Sequence, residues 1–254
     1  MWQGKSVSVV FPTYNEKDSI RNTIEDFWAV GVVDEIVVVN NNAAEGTDEE
    51  VRGTNTTMVY EARQGYGYAI WRGLEVVSGD YVIISEPDGT FSGRDVLKLL
   101  AYAEDCDVVY GTRTHREFIW AGANMGWPLK WGNYFVAKLM EVLFNSSNLS
   151  DVGCTMRLIS QPALRKMQPY FTIGGSAFGP EMMLISLISG QRIVQIPLNY
   201  TKRVGTSSVT GSPAKTVILA LRMIWLILDC RVRSFLGLHP ACSLSSRPIR
   251  KVSR

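Results

Sequence analysis

Glu86 and Asp88 flank Pro87 in "SEPDGT" (85–90), directly after the apolar run "DYVII" (80–84). The run reads as a buried strand, so the two carboxylates stand at i and i+2 where it ends. There they point the same way, and the proline stiffens their separation. Like charges so close repel. Either the pair is a solvated acidic turn that suits Gly89, or a cation belongs between them. No other metal chemistry competes for attention: Cys106, Cys154, Cys230, Cys242, His115 and His239 never approach metal-ligand spacing, and no CxxC occurs. The cysteines read as free thiols and not as a disulfide framework.

The elements that must carry these groups are legible in the first 110 residues. Short β-branched runs at 6–11, 35–40, 56–60, 80–85 and 107–112 read as strands. Helix-period segments lie between them, at 17–29, 45–52 and 66–77, and a fourth starts at "SGRD" (92–95). Ser92 and Asp95 there suggest a capping box. Such alternation predicts an α/β fold whose mostly parallel sheet has helices on both faces. Ligands in these folds bind beyond the carboxyl ends of the strands. "PTYNE" (12–16), "NNNAAEGT" (40–47) and "EPDGT" (86–90) each follow a strand, so all three are expected on that one edge. Further on, 118–144 reads as an aromatic stretch leading into a greasy helix, and 192–201 as one more strand.

The chain has 254 residues, 46% of them hydrophobic, enough for one large domain or one domain with an appendage. Its net charge of +2 is uneven: from Ser212 onward eight Lys/Arg face one acid, and residues 1–211 sum to −5. A nucleic-acid binder would carry its basic face on the body, so that class is set aside. "MWQGK" runs straight into a strand, and no leader is expected.

The ordered motifs resemble those of an inverting glycosyltransferase of family 2 with the nucleotide-sugar-binding GT-A fold, Rossmann-like, with a mixed and mostly parallel sheet. Within it they are most similar to the polyprenyl-phosphate and dolichyl-phosphate sugar synthases. "VVFPTYNEKDSI", "VVVNNNAAEGT", "RQGYGYAIWRGLEVVSGDYVIISEPDGT", "VVYGTR", "DVGCTMR", "PEMML" and "IPLNYTKRVGTSS" follow in family order over 1–211. The resemblance makes 1–112 the nucleotide-sugar half and 113–211 the acceptor half. It implies Mg2+ or Mn2+ at Asp88, with Glu86 reaching the metal or the ribose, to neutralise the departing nucleoside diphosphate. The nucleoside is expected on the backbone of Pro12, Thr13 and Tyr14, with Glu16 toward ribose or base and Asn15 as the helix cap. Asn40 and Asn41 stand where relatives carry aspartates near the base. An amide both donates and accepts, which suits uracil or thymine better than guanine, so a UDP- or dTDP-sugar is expected over GDP. Arg63 is a candidate countercharge, and Gly65 and Gly67 candidate points of close backbone approach to the donor.

The acceptor decides the chemistry. A hydroxyl acceptor needs a general base, for which Asp151 and Glu181 are the candidates. A polyprenyl phosphate is already anionic, its second pKa being about 6, and needs cations instead. Arg113 and Arg203 fall at phosphate-contacting positions by resemblance, with Lys130, Asn133 and Ser207 as further candidates. No QxxRW motif of chain-extending relatives occurs, which favours transfer of a single sugar. A third possibility, suggested by Asn40, Asn41 and Glu86, is a silent sugar-nucleotide-binding protein. Residues 212–254 are expected to form an amphipathic helix and basic tail lying on the cytoplasmic face of a membrane, with a bundle or dimer helix as the alternative. Arg222 in mid-helix argues against a membrane span.

Overall fold

The computed structural model describes residues 1–123, 126–146, 148–205 and 213–239. Ser207 lies outside them. Among the described residues seven strands form one sheet: β1 (Val7–Thr13), β2 (Glu35–Asn40), β3 (Thr57–Tyr60), β4 (Tyr81–Ile84), β5 (Val108–Thr112), β6 (Arg157–Ser160) and β7 (Ile193–Pro197). Their order is β3-β2-β1-β4-β6-β5-β7. Every pairing is parallel except those of β6, which runs antiparallel to both β4 and β5.

The sheet is covered on both faces, and the alternation of its strands says by what. Val10, Val37, Val39, Val82, Ile84, Val108 and Tyr110 turn to one side. They pack against α3 (Tyr66–Val76), α5 (Trp127–Phe144), α6 (Gln161–Met167), α7 (Phe178–Ile188) and α8 (Pro213–Phe235). Val9, Phe11, Ile36, Val38, Ile83, Val109 and Leu158 turn to the other, against α1 (Lys17–Ala29) and α4 (Asp95–Leu100). A short α2 (Thr47–Val51) follows β2 and packs beside α1. In α1 the buried positions Ser19, Ile20, Thr23, Ile24 and Phe27 form a single helical stripe. α8 is not a free appendage: Met223, Ile227 and Cys230 belong to the first core, and the helix packs on α5 and α7.

Two local expectations are corrected. Asn15 does not cap α1; the cap residue is Glu16, whose carboxylate turns back to accept from the N–H groups of Tyr14 (2.7 Å) and Asn15 (2.8 Å). Ser92 and Asp95 form no capping box. Arg94 precedes α4, and Asp95 is fully buried, accepting from Asn199 N (2.6 Å) and Asn199 Nδ2 (2.8 Å) and ion-paired with Lys98 Nζ (2.8 Å). That carboxylate pins the chain leaving β7 onto α4. β6 was not expected at all: it is four residues long, carries an arginine, and is defined only by its distant partners.

Asp95→Ala strips two donors and an ion-paired lysine of a buried partner and should cost about 3 kcal/mol of unfolding free energy. Ser92→Ala should stay within about 0.5 kcal/mol of the parent. Urea denaturation of both variants measures the contrast.

Candidate active site

Because β1, β2, β4, β5 and β7 run the same way, their carboxyl ends share one edge, and the antiparallel β6 brings its amino end there too. The loops after β1, β2 and β4 do converge as expected. The last strand adds what the sequence placed only by resemblance: Arg203, in the segment after β7. Its Nη2 donates to Glu16 Oε1 (3.0 Å) and its Nη1 to Glu86 Oε2 (3.3 Å), with Asp88 Oδ2 at 3.0 Å from the same Nη1. Three carboxylates thus surround one guanidinium. The segment is anchored by Val204 N on Asp88 O (3.0 Å) and Thr201 Oγ1 on Gly89 O (2.7 Å).

Charge is not balanced here. Burial, and then the Asp88 carboxylate, push the Glu86 pKa up to about 8. Arg203 moves the other way: burial would lower its pKa, but Asp88, Glu86 and Glu16 together raise it, so it stays charged. Asp88 Oδ1 accepts from the amide and hydroxyl of Thr90, at 2.9 and 2.5 Å. Its buried Oδ2 lies close to Arg203 but out of line, with no hydrogen bond of its own. A buried carboxylate oxygen left over beside a second carboxylate is what a hard cation requires of its ligands. Among the described residues no cluster of three or more His, Cys, Asp or Glu side chains forms a complete cage. An ion held here would therefore draw its remaining ligands from water or a diphosphate.

A second centre lies across β6. Asp151 is fully buried, and its Oδ2 accepts from Arg113 Nε (2.8 Å) and Arg113 N (3.0 Å). Its Oδ1 accepts from Arg113 Nη2 (3.0 Å) and Gly153 N (2.9 Å). Burial would depress the Arg113 pKa, but the paired carboxylate outweighs it and the net direction is upward. The guanidinium also stacks on Tyr200, 5.2 Å from the ring centre. Asn133 reaches the same spot: a Cβ added at Gly153 would meet Asn133 Oδ1 at 2.7 Å and Arg113 Nη2 at 2.8 Å. Asp151 therefore positions Arg113 and has no oxygen to spare as a base. This bidentate pairing uses Nε and Nη2 and leaves Nη1 without a bond to Asp151.

Other expected site residues go elsewhere. Glu181 is buried, and its carboxylate accepts from the amides of Thr172 (2.9 Å) and Ile173 (3.0 Å) and from the Thr172 hydroxyl, all outside the cleft. Burial raises its pKa while those bonds oppose the rise. It shapes the 172–175 turn and cannot serve as the base. Asn40 Nδ2 donates to Asp48 Oδ1 (2.6 Å), and its Oδ1 accepts from Ala43 N (2.8 Å). Asn41 Nδ2 donates to the carbonyls of Glu61 and Arg63, both at 2.8 Å, and its Oδ1 accepts from Gly65 N (2.9 Å). Both amides are spent on their own loops, so the argument from them about the base falls away. Arg63 pairs with Glu61 (2.9 Å) and lies over Tyr68, not in the cleft. Gly67 is small because a Cβ there would strike the Ile173 carbonyl, so it serves packing and not donor approach. Lys130 does not line the cleft, whereas Asn133 does.

The cleft itself has a volume of about 940 Å³. Pro12, Thr13, Tyr14, Glu16, Asn41, Glu86 and Arg203 line it, together with Arg113 and Asn133. Its apolar lining includes Leu129 and Val136 of α5 and Val217, Leu219 and Met223 of α8. Several lining residues escaped sequence reading, among them Arg157 and Tyr66. Arg157 is buried and donates to the carbonyls of Cys154 (2.6 Å) and Gly179 (3.1 Å). Tyr66 keeps a buried hydroxyl without a hydrogen-bond partner. Arg157 closes the quoted "DVGCTMR", the one signal that could have pointed to it.

A doubly covered, mostly parallel sheet with an acidic centre on its carboxyl edge defines a nucleotide-binding α/β enzyme. Residues 8–168 match the model of glycosyl transferase family 2, and the chain belongs to that family. It is 28% identical over 215 residues to the low-salt glycan biosynthesis hexosyltransferase Agl6 of Haloferax volcanii, covering 82% of this chain. That alignment spans only 51% of the longer haloarchaeal protein. An uncharacterized glycosyltransferase of Mycobacterium bovis is 23% identical over 231 residues, 89% of this chain and 99% of the relative. Glucosyl-3-phosphoglycerate synthase of Mycobacterium tuberculosis, solved with Mn2+, UDP-glucose and phosphoglyceric acid, superposes with a TM-score of 0.69. It is 19% identical, and the match covers 90% of this chain and 80% of the synthase. The fold is the GT-A fold.

Glu181→Gln should lower stability by about 1–2 kcal/mol, by weakening bonds to the 172–173 amides, and leave turnover within a few-fold. Asp151→Asn should cut turnover far more, because an amide cannot accept at both oxygen positions from Arg113. Thermal melts and nucleotide-sugar turnover, run side by side, separate the two roles.

Proposed function

We propose that this chain transfers one sugar, with inversion, from a UDP-sugar to a polyprenyl phosphate, with a divalent cation at Asp88 and Glu86. The observation that carries this reading is the mixed lining of one cleft. Glu16, Glu86 and Arg203, then Arg113 and Asn133, and apolar residues of α5 and α8 all border the same space. A phosphate head with a hydrocarbon tail calls for that same combination of properties. Arg113 would hold the acceptor phosphate through the end of its fork that Asp151 leaves open.

The commitments of Asp151 and Glu181 support a phosphate acceptor as well. Its attacking oxygen is already ionised near neutral pH, so neither carboxylate is needed as a base. An ion at Asp88 and Glu86 would supply charge neutralisation for the departing diphosphate. Pro12, Thr13, Tyr14 and Glu16 line the same cleft and would border the nucleoside, with the Glu16 carboxylate already held by the Tyr14 amide and Arg203. The UDP and Mn2+ held by the mycobacterial synthase support the same donor and ion here. Its phosphoglyceric acid favours a second reading, in which a small phosphorylated hydroxyl compound is the acceptor.

No described helix is long and apolar enough to cross a membrane. The lipid would be met at the cytoplasmic surface by the exposed Trp131 and Phe135 of α5; the expected basic tail, with Arg247, Arg250, Lys251 and Arg254, lies outside the described residues.

Incubating the protein and Mn2+ with UDP-sugars, with undecaprenyl phosphate or 3-phosphoglycerate, and weighing the products tests the reading. A glycosyl phospholipid is expected, lost with EDTA and reduced at least about a hundredfold in Asp88→Ala. Product only with the hydroxyl acceptor overturns the lipid assignment, and no turnover of any sugar nucleotide overturns the reading altogether.

A further inference from the structure

α8 has two apolar sides, and the structure covers only one. Met223, Ile227 and Cys230 face the core. Ile218, Leu221, Trp225, Leu228, Val232 and Phe235 face outward, each between 44% and 79% exposed. Their spacing is strict: 218, 225 and 232 are seven apart, as are 221, 228 and 235, and the two series interleave at intervals of three and four. That is the narrow seam of a coiled coil, two positions in seven, held for nearly three heptads. It runs about 25 Å along the helix at 1.5 Å per residue. One shoulder of this face holds Arg222, Asp229 and Arg233, and the other holds Arg231. The acid between two bases on the first shoulder suits a protein partner better than an anionic lipid surface.

We propose that this seam pairs with the α8 of a second copy of the chain, antiparallel about a two-fold axis between Leu226 and Ile227. The axis sets Ile218 against Phe235, Leu221 against Val232 and Trp225 against Leu228 of the second copy, so every seam residue meets another. The charges on the shoulder become complementary by the same operation. Arg222 of each copy comes level, within about 3 Å along the axis, with Asp229 of the other, twice per dimer. Parallel pairing forfeits this, because Arg222 would then face apolar Val217. Within one chain Asp229 pairs with Arg233 at 2.8 Å, an exposed pair four residues away that contributes little. The consequence reaches the cleft, since Leu219, Ala220 and Met223 on other sides of the same helix wall it. Pairing would hold that wall in place from behind.

Sedimentation equilibrium of the full chain in detergent-free buffer reads the oligomeric state directly. A dimer is expected, converted to monomer by Trp225→Glu or Leu228→Glu, with circular dichroism and melting close to the parent because both residues are exposed. Arg222→Asp and Asp229→Arg should each weaken the dimer about tenfold, and the two together should restore it. A contribution confined to one helix cannot produce that rescue. A parent that is monomeric at every concentration overturns the proposal, as does a dimer indifferent to Trp225→Glu. So does a monomer that floats with phosphatidylglycerol vesicles and loses that binding in Trp225→Glu, which would assign the seam to lipid.

Discussion

Glu16, Glu86 and Asp88 come from two strand ends that the sheet forces together, and their negative charges must be answered locally. Two unit charges about 4 Å apart interact by roughly 4 kcal/mol at the effective dielectric of a protein surface. Left alone, the three would separate or take up protons; burial first, and the Asp88 charge second, push Glu86 in that direction. Arg203 answers it with one guanidinium against three carboxylates. In doing so it ties the segment after β7 to the loop after β4, which closes that side of the cleft. The proposed cation meets the same electrostatic demand, and Asp88 Oδ2, ion-paired with Arg203 but without an aligned hydrogen bond, is the oxygen it would draw on.

The reversed strand β6 is the second determinant. Inserted between β4 and β5, it turns residues 151–156 back over the carboxyl edge, and this is how Asp151 reaches Arg113. The pair is nearly neutral, so this part of the cleft presents a directed donor and not a strong field. A charged fork locked at one edge and open at the other favours a planar or tetrahedral oxyanion over a neutral hydroxyl. The contrast with the acidic centre gives one cleft two kinds of polar lining.

The apolar lining depends on α5 and α8, which pack on each other and on α7. The haloarchaeal relative is about twice the length of the matched segment, and the mycobacterial synthase is also longer than its match. What those proteins do as wholes is therefore carried to this chain only as a proposal. The family, the fold and the acidic centre rest on this chain's own residues.

How much of this was legible beforehand depends on the range of the interactions involved. The strand–helix alternation of the first 112 residues was readable almost to the residue, since period and β-branching are local properties. So was the convergence of three loops on one edge, because a parallel sheet leaves no other place for them. The partners of the polar side chains were not readable. Asn40, Asn41, Arg63, Gly67 and Glu181 have the right types at the right positions, yet their bonding groups or their small size serve neighbouring loops. Asp95 looked like a helix cap and is a buried clasp across 104 residues of chain. β6 was invisible because four residues make a strand only when β4 and β5 stand on either side. The sequence by itself determined the sheet, its edge and the carboxylates placed there. Only the tertiary structure decided which polar groups remained free, because a hydrogen bond is satisfied by whatever the fold brings within about 3 Å, however far away in the chain.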